Sequence, residues 1–489
     1  MIEMRLAEVA AVTGGELHRA TGEELVSSVE FDSRKVGPGA LFLALPGERA
    51  DGHGFAAAAV AAGAAGVLAG RPVDAPAVIA PAGESYAGTD LGAADPDGAG
   101  AAVLTALGKL ARHSVTTLRD RAGLAVVGIT ASSGKTSTKD LVAAVLAPLG
   151  ETVAPPGSFN NELGHPWTAL RAGESTRHLV LELSARGSGH IARLCRIAPP
   201  RIGVVLNVGS AHVGEFGSPE AIAQAKGELV EALPADGVAV LNLDDHRVAA
   251  MAARTSARVV GYSAAGSAEA AVVAREVRLV AGRASFTLVT PAGSAEVSLR
   301  LVGEHHVGNA LAAAAVALEL GGTPAGIAEA LSQAGPASRW RMEVTDRADG
   351  VTVVNDAYNA NPESMTAALR ALAAIGAEGG RRTWAVLGPM AELGDTAPAA
   401  HEQVAQAVEA LGIDHFVTVG TDLYPRTRES DTTARESDTA VVHVADRDAA
   451  VALLRAELRP GDVVLVKASR SAGLDRVAAA LVEQELVAP

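Results

Sequence analysis

The residues best suited to chemistry are Gly134, Lys135 and Thr136, which end a loop of small residues after an apolar run. Six apolar or small residues come first and a helical pattern follows, which is the strand–loop–helix layout of a phosphate-binding loop. Backbone N–H groups and a helix N-terminus then face one anion, and the lysine adds positive charge. The threonine hydroxyl stands where a phosphate-bound Mg²⁺ can take it as a ligand. The pattern predicts nucleotide binding; the alternative is an ordinary turn entering a buried helix.

The same loop departs from the usual glycine pattern at two positions. Ile129 stands where the strict motif has glycine, and Ala131 stands where a shorter version has it. If position 131 needs a positive φ or a close approach of phosphate, its β-carbon would cost about 1 kcal/mol or clash.

Other polar groups follow apolar, strand-like runs of the same region. Glu182 ends the run 178–182, His212 follows the run 201–207, and Asp245 follows the run 237–242. Ligands of open parallel sheets bind at the carboxyl ends of the strands, so we expect these groups and Lys135 to line one cleft. Glu182 is a candidate Mg²⁺ ligand, but a helix cap or surface acid is equally common. His212 is a candidate second ligand, but a lone histidine is more often structural.

Length and composition place this loop in a multidomain α/β protein. The 489 residues exceed one hydrophobic core and predict two to four domains, and 48% hydrophobic with 3% aromatic residues indicates an Ala/Val/Leu core. The net charge of −15 argues against nucleic acid or an anionic membrane as the main partner. One cysteine, Cys195, excludes an intramolecular disulfide and fits a reducing, cytoplasmic compartment. We expect no signal peptide and no membrane insertion.

Three α/β units are predicted along the chain. Residues 1–95 form a small N-terminal unit, in which Ser33 and Arg34 either hold a diphosphate or belong to a solvated loop. Residues 96–338 form a central parallel-sheet unit of the phosphate-loop type, with an antiparallel meander near 270–301. Residues 339–489 form a second nucleotide-fold-like (Rossmann-like) unit. The stretch 83–100 is interpreted as a linker, and the near-duplicate segments 428–432 and 435–439 as an exposed loop.

Two more places carry candidate groups. His305 and Asn309 are one helical turn apart and can face one ligand. Lys226 lies on a helical pattern from 219 to 233, where a lysine is normally a solvated surface charge. The segment 355–362 is a loop dense in hydrogen-bonding side chains, and Pro362 suits the first turn of the helix that follows.

With its motifs in this order, the chain resembles the Mur ligases over nearly its whole length. Within that family it is most similar to the member that joins D-Ala-D-Ala to a UDP-linked muramyl tripeptide. The motifs that carry the resemblance lie at 32–34, 130–138, 159–166, 181–183, 207–212, 226–228, 303–309, 338–343, 355–362, 387–394 and 467–470.

The resemblance implies an ATP-dependent amide ligase that passes through an acyl phosphate. The N-terminal unit would hold the UDP part of the substrate, the central unit ATP, and the C-terminal unit the dipeptide. It implies Lys135 on the β/γ-phosphates, Thr136 and Glu182 on one Mg²⁺, and His212 on a second. It also implies a carbamylated Lys226 as a further Mg²⁺ ligand, Asn309 on adenine, Asp356 on ribose and Arg341 on the γ-phosphate. Beyond Lys135 and Thr136, the nucleotide loop would comprise Thr130, Ala131, Ser132, Ser133, Gly134 and Ser137, and the acid and amine substrates would contact Ser33, Arg34, Asn160, Asn161, Tyr358, Asn359, Asn361, Lys467, Ser469 and Arg470.

Three departures from the family pattern keep alternatives open. Ala131 stands where the family has glycine, and Pro389 replaces an acid. Ser184 stands where the members that add D-Ala-D-Ala usually have glycine, but sister ligases have serine there and we expect it to be tolerated. The alternatives are a diverged ligase acting on another acid and amine, or a catalytically dead nucleotide-binding homologue. A monomer is expected, and the third residue of the peptide substrate, diaminopimelate or lysine, stays open.

Overall fold

The computed structural model describes residues 1–47, 50–84, 86, 95–209, 213–425 and 441–483. It contains three α/β units, each built on its own main sheet, as the sequence predicts. His212 and the near-duplicate segments 428–432 and 435–439 lie outside the described residues.

The N-terminal unit is a five-stranded sheet in the order β2-β7-β6-β5-β4, with a small antiparallel pair, β1-β3, beside it. The strands β4, β5, β6 and β7 are parallel, and β2 runs antiparallel at the edge. Its elements are β1 (Met4–Arg5), α1 (Leu6–Thr13), β2 (Glu16–His18), β3 (Leu25–Val26), β4 (Ser28–Glu30), β5 (Ala40–Leu43), α2 (Ala56–Ala61), β6 (Gly66–Ala69) and β7 (Ala77–Ile79).

The central unit contains a nine-stranded sheet in the order β16-β15-β14-β13-β12-β11-β8-β10-β9. The strands from β9 across to β14 are parallel, and β14, β15 and β16 form the antiparallel meander that the sequence predicts. Its elements are α3 (Ala99–Ala122), β8 (Ala125–Thr130), α4 (Lys135–Leu146), β9 (Thr152–Val153), α5 (Gly164–Ala169), β10 (His178–Glu182), α6 (His190–Ile197), β11 (Ile202–Val205), α7 (Val213–Phe216), α8 (Pro219–Glu231), β12 (Val238–Asn242), α9 (His246–Ala249), β13 (Arg258–Ser263), β14 (Val272–Val280), β15 (Arg283–Thr290), β16 (Gly293–Val302), α10 (His306–Glu319) and α11 (Pro324–Gln333).

The C-terminal unit contains a six-stranded sheet in the order β17-β18-β22-β19-β20-β21, parallel except for β17 at its edge. Its elements are β17 (Glu343–Asp346), β18 (Thr352–Asn355), α12 (Pro362–Ala377), β19 (Thr383–Leu387), α13 (Ala397–Ala410), β20 (His415–Val419), β21 (Val441–Val444), α14 (Arg447–Glu457), β22 (Val463–Lys467) and α15 (Asp475–Val482).

Helix α3 joins the first two units through one continuous core. The hydrophobic cluster around it contains Leu6 and Val9 of the N-terminal unit together with Leu179 and Leu194 of the central unit. Its Lys109 donates to the carbonyl of Thr13 at 2.9 Å. The helix therefore belongs to both units, although it begins inside the stretch that the sequence analysis assigned to a linker.

Among the described residues, no helix combines the length and apolar character needed to cross a bilayer. Cys195 is buried, and burial raises the pKa of its thiol to about 12. The thiol is therefore protonated and acts as an apolar core group.

Candidate functional site

The phosphate loop connects the central strand β8 to the N-terminus of α4, as its sequence predicts. Gly134 has φ +85°, a left-handed conformation that glycine adopts without strain, and the amide oxygen of Asn309 would lie 3.1 Å from a β-carbon placed there. Ala131 is fully buried and is not among the described non-glycine residues with positive φ. Its methyl group packs into the core under the loop. The strain considered for position 131 is therefore absent.

Asn207, which follows β11, braces the loop from the neighbouring strand. Its Oδ1 accepts the backbone N–H groups of Ser132 at 3.1 Å and Ser133 at 3.0 Å. Its Nδ2 donates to the carbonyl of Ser133 at 3.1 Å. A second tie joins Ser132 and Gly209, whose N–H donates to the serine hydroxyl at 2.9 Å. Three hydrogen bonds from one side chain thus fix the start of the loop, a role that the sequence analysis did not assign.

Lys135 is half-buried at the first residue of α4, and its ammonium donates to the carbonyl of Ala131 at 2.5 Å. Burial lowers the pKa of Lys135 to about 8; Glu182 opposes this shift and the guanidinium of Arg341 adds to it. An arriving phosphate would reverse the effect, because it favours the charged ammonium. The lysine is therefore placed to take up an anion.

Glu182 ends β10, which lies beside β8 in the sheet, so the parallel register brings it next to the loop. The side chain is fully buried. Its Oε2 accepts the hydroxyls of Thr136 at 3.1 Å and Ser158 at 3.2 Å, while Oε1 has no hydrogen-bond partner. A buried carboxylate oxygen without a donor is costly unless a cation or another ligand group satisfies it. Thr136 and Glu182 therefore fit the Mg²⁺ site that the sequence predicts.

Lys226 lies on α8 and is 4% exposed, so the expectation of a solvated surface charge is wrong. Burial and repulsion from Lys135 hold the pKa of Lys226 well below its usual value. A neutral, unprotonated amine at this position is nucleophilic. Two lysines thus approach the same site.

Asp245 links the segments that follow β11 and β12 at the carboxyl end of the central sheet. One carboxylate oxygen accepts the N–H of Val208, 2.8 Å away, and the other caps α9 through the N–H groups of Arg247 and Val248. Thr130 is fully buried and donates to the carbonyl of Leu183 at 2.9 Å. These bonds position the strand ends that carry Asn207 and Glu182.

Arg341 reaches the phosphate loop from the start of the C-terminal unit. Its guanidinium lies over the ring of Tyr358, 4.1 Å from the centroid, and its buried Nε has no hydrogen-bond partner. The two flanking residues, Trp340 and Met342, have left-handed φ values of 60° and 49°. Such conformations are costly for large side chains and persist only where surrounding contacts impose them. Arg341 therefore lies in a segment with a strained backbone.

Asp356 and Lys467 form a buried ion pair at the carboxyl end of the C-terminal sheet. The ammonium of Lys467 lies 2.6 Å from Oδ2 of Asp356 and also donates to the carbonyl of Asn359 at 2.8 Å. Oδ1 of Asp356 accepts the N–H of Met342 at 3.1 Å, next to Arg341. The pair therefore fixes the strained segment, and a ribose hydroxyl would be an additional donor to Asp356.

His305 and Asn309 lie at the start of α10, both at the junction of the central and C-terminal units. Burial lowers the pKa of His305 to about 4, with Asp356 opposing and Lys467 adding to the shift. The Nδ2 of Asn309 lies 3.4 Å from Nδ1 of His306, and its other face abuts Gly134. Asn309, which is predicted to contact adenine, therefore lies directly beside the phosphate loop.

The remaining predicted substrate residues divide between loop supports and exposed groups. Asn161 caps the start of α5, Asn361 caps α12, and Ser469 accepts the N–H of Ala391 at 2.8 Å. The ring of Trp340 lies 4.0 Å from the guanidinium of Arg470, which also pairs with Asp475. The backbone N–H groups of residues 390 and 391 are both satisfied, so Pro389 leaves that loop fully bonded.

The N-terminal loop that carries Ser33 and Arg34 meets the central unit through aromatic contacts. The ring of Phe31 lies 6.2 Å from that of Phe159 and 5.5 Å from that of Trp167. Arg34 is exposed and pairs with Asp32, and this pairing holds the pKa of Asp32 at about 2. The loop therefore borders the segment 158–161, which leads toward Glu182.

Three family models match the chain. The model described as the Mur ligase middle domain matches residues 129–317, that of the Mur ligase glutamate ligase domain matches 340–470, and that of the Mur ligase family catalytic domain matches 25–113.

Similar proteins cover almost the whole chain. The UDP-N-acetylmuramoyl-tripeptide–D-alanyl-D-alanine ligase of Mycobacterium tuberculosis is 55% identical, covering 99% of this chain and 99% of that protein. The ligase of the same name from Escherichia coli is 35% identical, with the same coverage of both. MurF from Acinetobacter baumannii matches in structure with a TM-score of 0.81 at 30% identity, covering 98% of this chain and 99% of that one. The MurF ligase of Thermotoga maritima in complex with ADP matches with a TM-score of 0.75 at 27% identity, covering 94% and 98%.

Proposed function

The chain belongs to the Mur ligase family, and we propose on that premise that it uses ATP to join D-alanyl-D-alanine to a UDP-N-acetylmuramoyl tripeptide. The observation that carries the proposal is the 55% identity, over 99% of the chain, to a ligase of that name. The reaction forms a precursor of peptidoglycan. We place it in the cytoplasm, where ATP and the nucleotide-linked precursor are available. We propose that it acts as a monomer.

We propose that the triphosphate lies along the phosphate loop, with Lys135 on its β- and γ-phosphates and Asn309 beside the adenine. Support comes from the left-handed Gly134 at the N-terminus of α4, which turns backbone N–H groups toward an anion. It also comes from the ADP that the Thermotoga maritima relative holds. Asp356 would accept a ribose hydroxyl beyond its bonds to Met342 and Lys467.

The metal assignment rests on the unsatisfied Oε1 of Glu182. We propose that Glu182 and Thr136 hold one Mg²⁺, and that His212 contributes to a second. When bound, Mg²⁺ supplies positive charge against the charge that develops during phosphoryl transfer. Arg341 adds a guanidinium to the same region, and its stacking on Tyr358 orients it before substrate arrives.

Lys226 is proposed to act in carbamylated form. Its depressed pKa leaves an unprotonated amine, which attacks the carbon of CO₂, forms an N–C bond and releases one proton to water. The product is an anionic oxygen donor, which suits Mg²⁺ and attracts the ammonium of Lys135.

In the proposed reaction, the terminal carboxylate of the tripeptide attacks the γ-phosphorus, and ADP leaves. The amine of D-alanyl-D-alanine then attacks the carbonyl carbon of the acyl phosphate, an amide bond forms, and inorganic phosphate leaves. The loops carrying Ser33 and Asn161 would hold the UDP-linked acid. The loops carrying Asn359 and Arg470 would hold the dipeptide.

The test is release of ADP and phosphate from ATP with UDP-N-acetylmuramoyl tripeptide and a panel of amines. We expect turnover with D-alanyl-D-alanine and its loss in Lys135→Ala, with tripeptides ending in diaminopimelate or lysine compared directly. Turnover only with other amines would assign the chain to another ligase reaction. Nucleotide binding without turnover for any acceptor would indicate a catalytically dead homologue.

A further inference from the structure

The carboxylate of Glu182 receives protein donors on one oxygen only. Oε2 accepts two hydroxyls, from Thr136 at 3.1 Å and Ser158 at 3.2 Å. Oε1 is buried and has no partner among the described residues. Thr136 belongs to the phosphate loop, whereas Ser158 lies on a separate segment between β9 and α5. That second donor has no role in the phosphate loop itself.

Ser158 is the last member of a hydrogen-bond chain. Its Oγ accepts Nδ2 of Asn160 at 2.9 Å. The Oδ1 of Asn160 accepts the hydroxyl of Ser184 at 3.1 Å. Ser184 is also tied through its backbone, since its N–H donates to the carbonyl of Asn160 at 3.2 Å. Because Ser184 stands two residues after Glu182, the series of hydrogen bonds ends just beyond the strand that carries Glu182.

The carboxylate fixes the direction of the bonds made by Ser158 and Asn160, while the hydroxyl of Ser184 can donate to Oδ1 of Asn160 at 3.1 Å or to its backbone carbonyl at 3.2 Å. An ionised carboxylate only accepts, so the hydroxyl proton of Ser158 points to Glu182. Ser158 can then only accept from Asn160, which must present its NH₂ group on that side. The amide oxygen of Asn160 therefore faces Ser184, whose hydroxyl donates. This arrangement pairs the hydroxyl of Ser158, both ends of the Asn160 amide and the hydroxyl of Ser184, and it leaves Oε1 of Glu182 without a partner.

We propose that Ser158, Asn160 and Ser184 are positioning residues that hold Oε2 of Glu182 in place, so that Oε1 faces the cation of the nucleotide complex. The proposal rests on the cation site of the proposed function and adds three residues behind it. Asn160 then acts through Glu182 rather than on the muramyl substrate. Ser184 supplies the donor that orients the amide.

Carboxylates that bind metal ions are commonly held in place by hydrogen bonds from neighbouring groups. Removing such a supporting partner typically costs roughly 10–100-fold in metal affinity. Loss of Ser158 should therefore weaken binding of the metal–nucleotide complex while leaving the phosphate loop intact. Loss of Ser184 should have a smaller effect, because its bond is two steps from the carboxylate.

The test compares ADP affinity by calorimetry with excess Mg²⁺ and with EDTA, and Mn²⁺ binding to the ADP complex by electron paramagnetic resonance. For Ser158→Ala we expect roughly tenfold weaker ADP binding with Mg²⁺, a matching loss for Mn²⁺, and unchanged binding in EDTA. Ser158→Thr, which keeps the hydroxyl, should restore the wild-type values. Ser256→Ala, at an exposed serine outside the site, is the matched control.

The variants of Asn160 decide how the chain acts. Asn160→Ala should weaken Mg²⁺-dependent ADP binding in the same way but by no more than Ser158→Ala, and the double variant should be no worse than Ser158→Ala, because the two residues act in series. If Asn160→Ala instead raises only the KM for the muramyl peptide, Asn160 is a substrate contact and the proposal fails.

Two outcomes separate this proposal from the proposed function. A wild-type protein whose ADP binding ignores Mg²⁺ would overturn the cation site itself. A wild-type protein that depends on Mg²⁺, with Ser158→Ala indistinguishable from it or equally weakened in EDTA, would overturn only the positioning role. Thermal unfolding in EDTA checks that each variant is folded.

Discussion

Asn207 offers a sharp test of how the phosphate loop keeps its shape. Replacing it with alanine removes two acceptor bonds to the N–H groups of Ser132 and Ser133 and one donor bond to a carbonyl. Replacing it with aspartate keeps both acceptor bonds and adds a negative charge beside the phosphate-binding groups. The two variants should therefore differ in what they damage.

The magnitudes follow from these contacts. Three hydrogen bonds at about 1 kcal/mol each set a ceiling of about 3 kcal/mol, and water recovers part of it, so Asn207→Ala should lose about 2 kcal/mol of unfolding free energy. Its affinity for ADP should fall about tenfold, since the loop must be reordered on binding. Asn207→Asp should lose only about 1 kcal/mol of stability. A charge about 6 Å from a phosphate costs about 3 kcal/mol at an effective dielectric constant of 20, roughly a hundredfold in ADP affinity.

The assays are urea unfolding and calorimetric ADP binding in Mg²⁺. Asn242→Ala is the matched control, because its side chain donates to the carbonyl of Leu206, the residue before Asn207, and not to the phosphate loop. We expect the control to lose stability but not ADP affinity. The reasoning is refuted if Asn207→Asp binds ADP as tightly as wild type, or if Asn207→Ala is as stable as wild type.

Three further predictions concern the same site. Lys226→Ala should lower phosphate release roughly a hundredfold or more, and excess short carboxylates should partly restore it; unchanged turnover would remove the carbamate. Ala131→Gly should lower unfolding free energy by about 1–2 kcal/mol, because it removes a buried methyl and loosens the backbone, with ADP affinity equal or tighter; weaker binding would show that the loop depends on the methyl. Because burial lowers the pKa of Lys135 to about 8 and phosphate prefers the ammonium, ADP affinity should be constant below pH 8 and fall above it by up to about tenfold per pH unit. Calorimetry across pH checks this, and Lys135→Arg, which stays charged, should flatten the dependence if it still binds ADP.

Sequence patterns predicted the central sheet well because its strands are buried on both faces. The run 178–182 is continuous, apolar and ends in Glu182, and β10 has the same bounds with all five residues buried. Helix α10 begins at His306, so His305 and Asn309 lie one turn apart at its start, as their spacing predicts.

Contacts between distant segments were beyond the reach of the patterns. Ser158 lies in a stretch of small and polar residues that resembles any loop, and only the order of β8, β9 and β10 brings it to Glu182. The pairing of Asp356 with Lys467 likewise depends on β18 and β22 being neighbours. The burial of Lys226 depends on how α8 packs, which residue type and spacing do not determine.

Helix α3 has a consequence for anyone who wishes to study nucleotide binding on a smaller protein. A fragment that starts near residue 96 would keep the helix but lose Leu6 and Val9, which cover one of its sides. The apolar side of α3 that these residues cover would then be exposed to water, and exposed apolar patches of that kind promote association between copies of a protein. The N-terminal and central units therefore share one hydrophobic core, and a truncation at the predicted boundary between them would cut through that core.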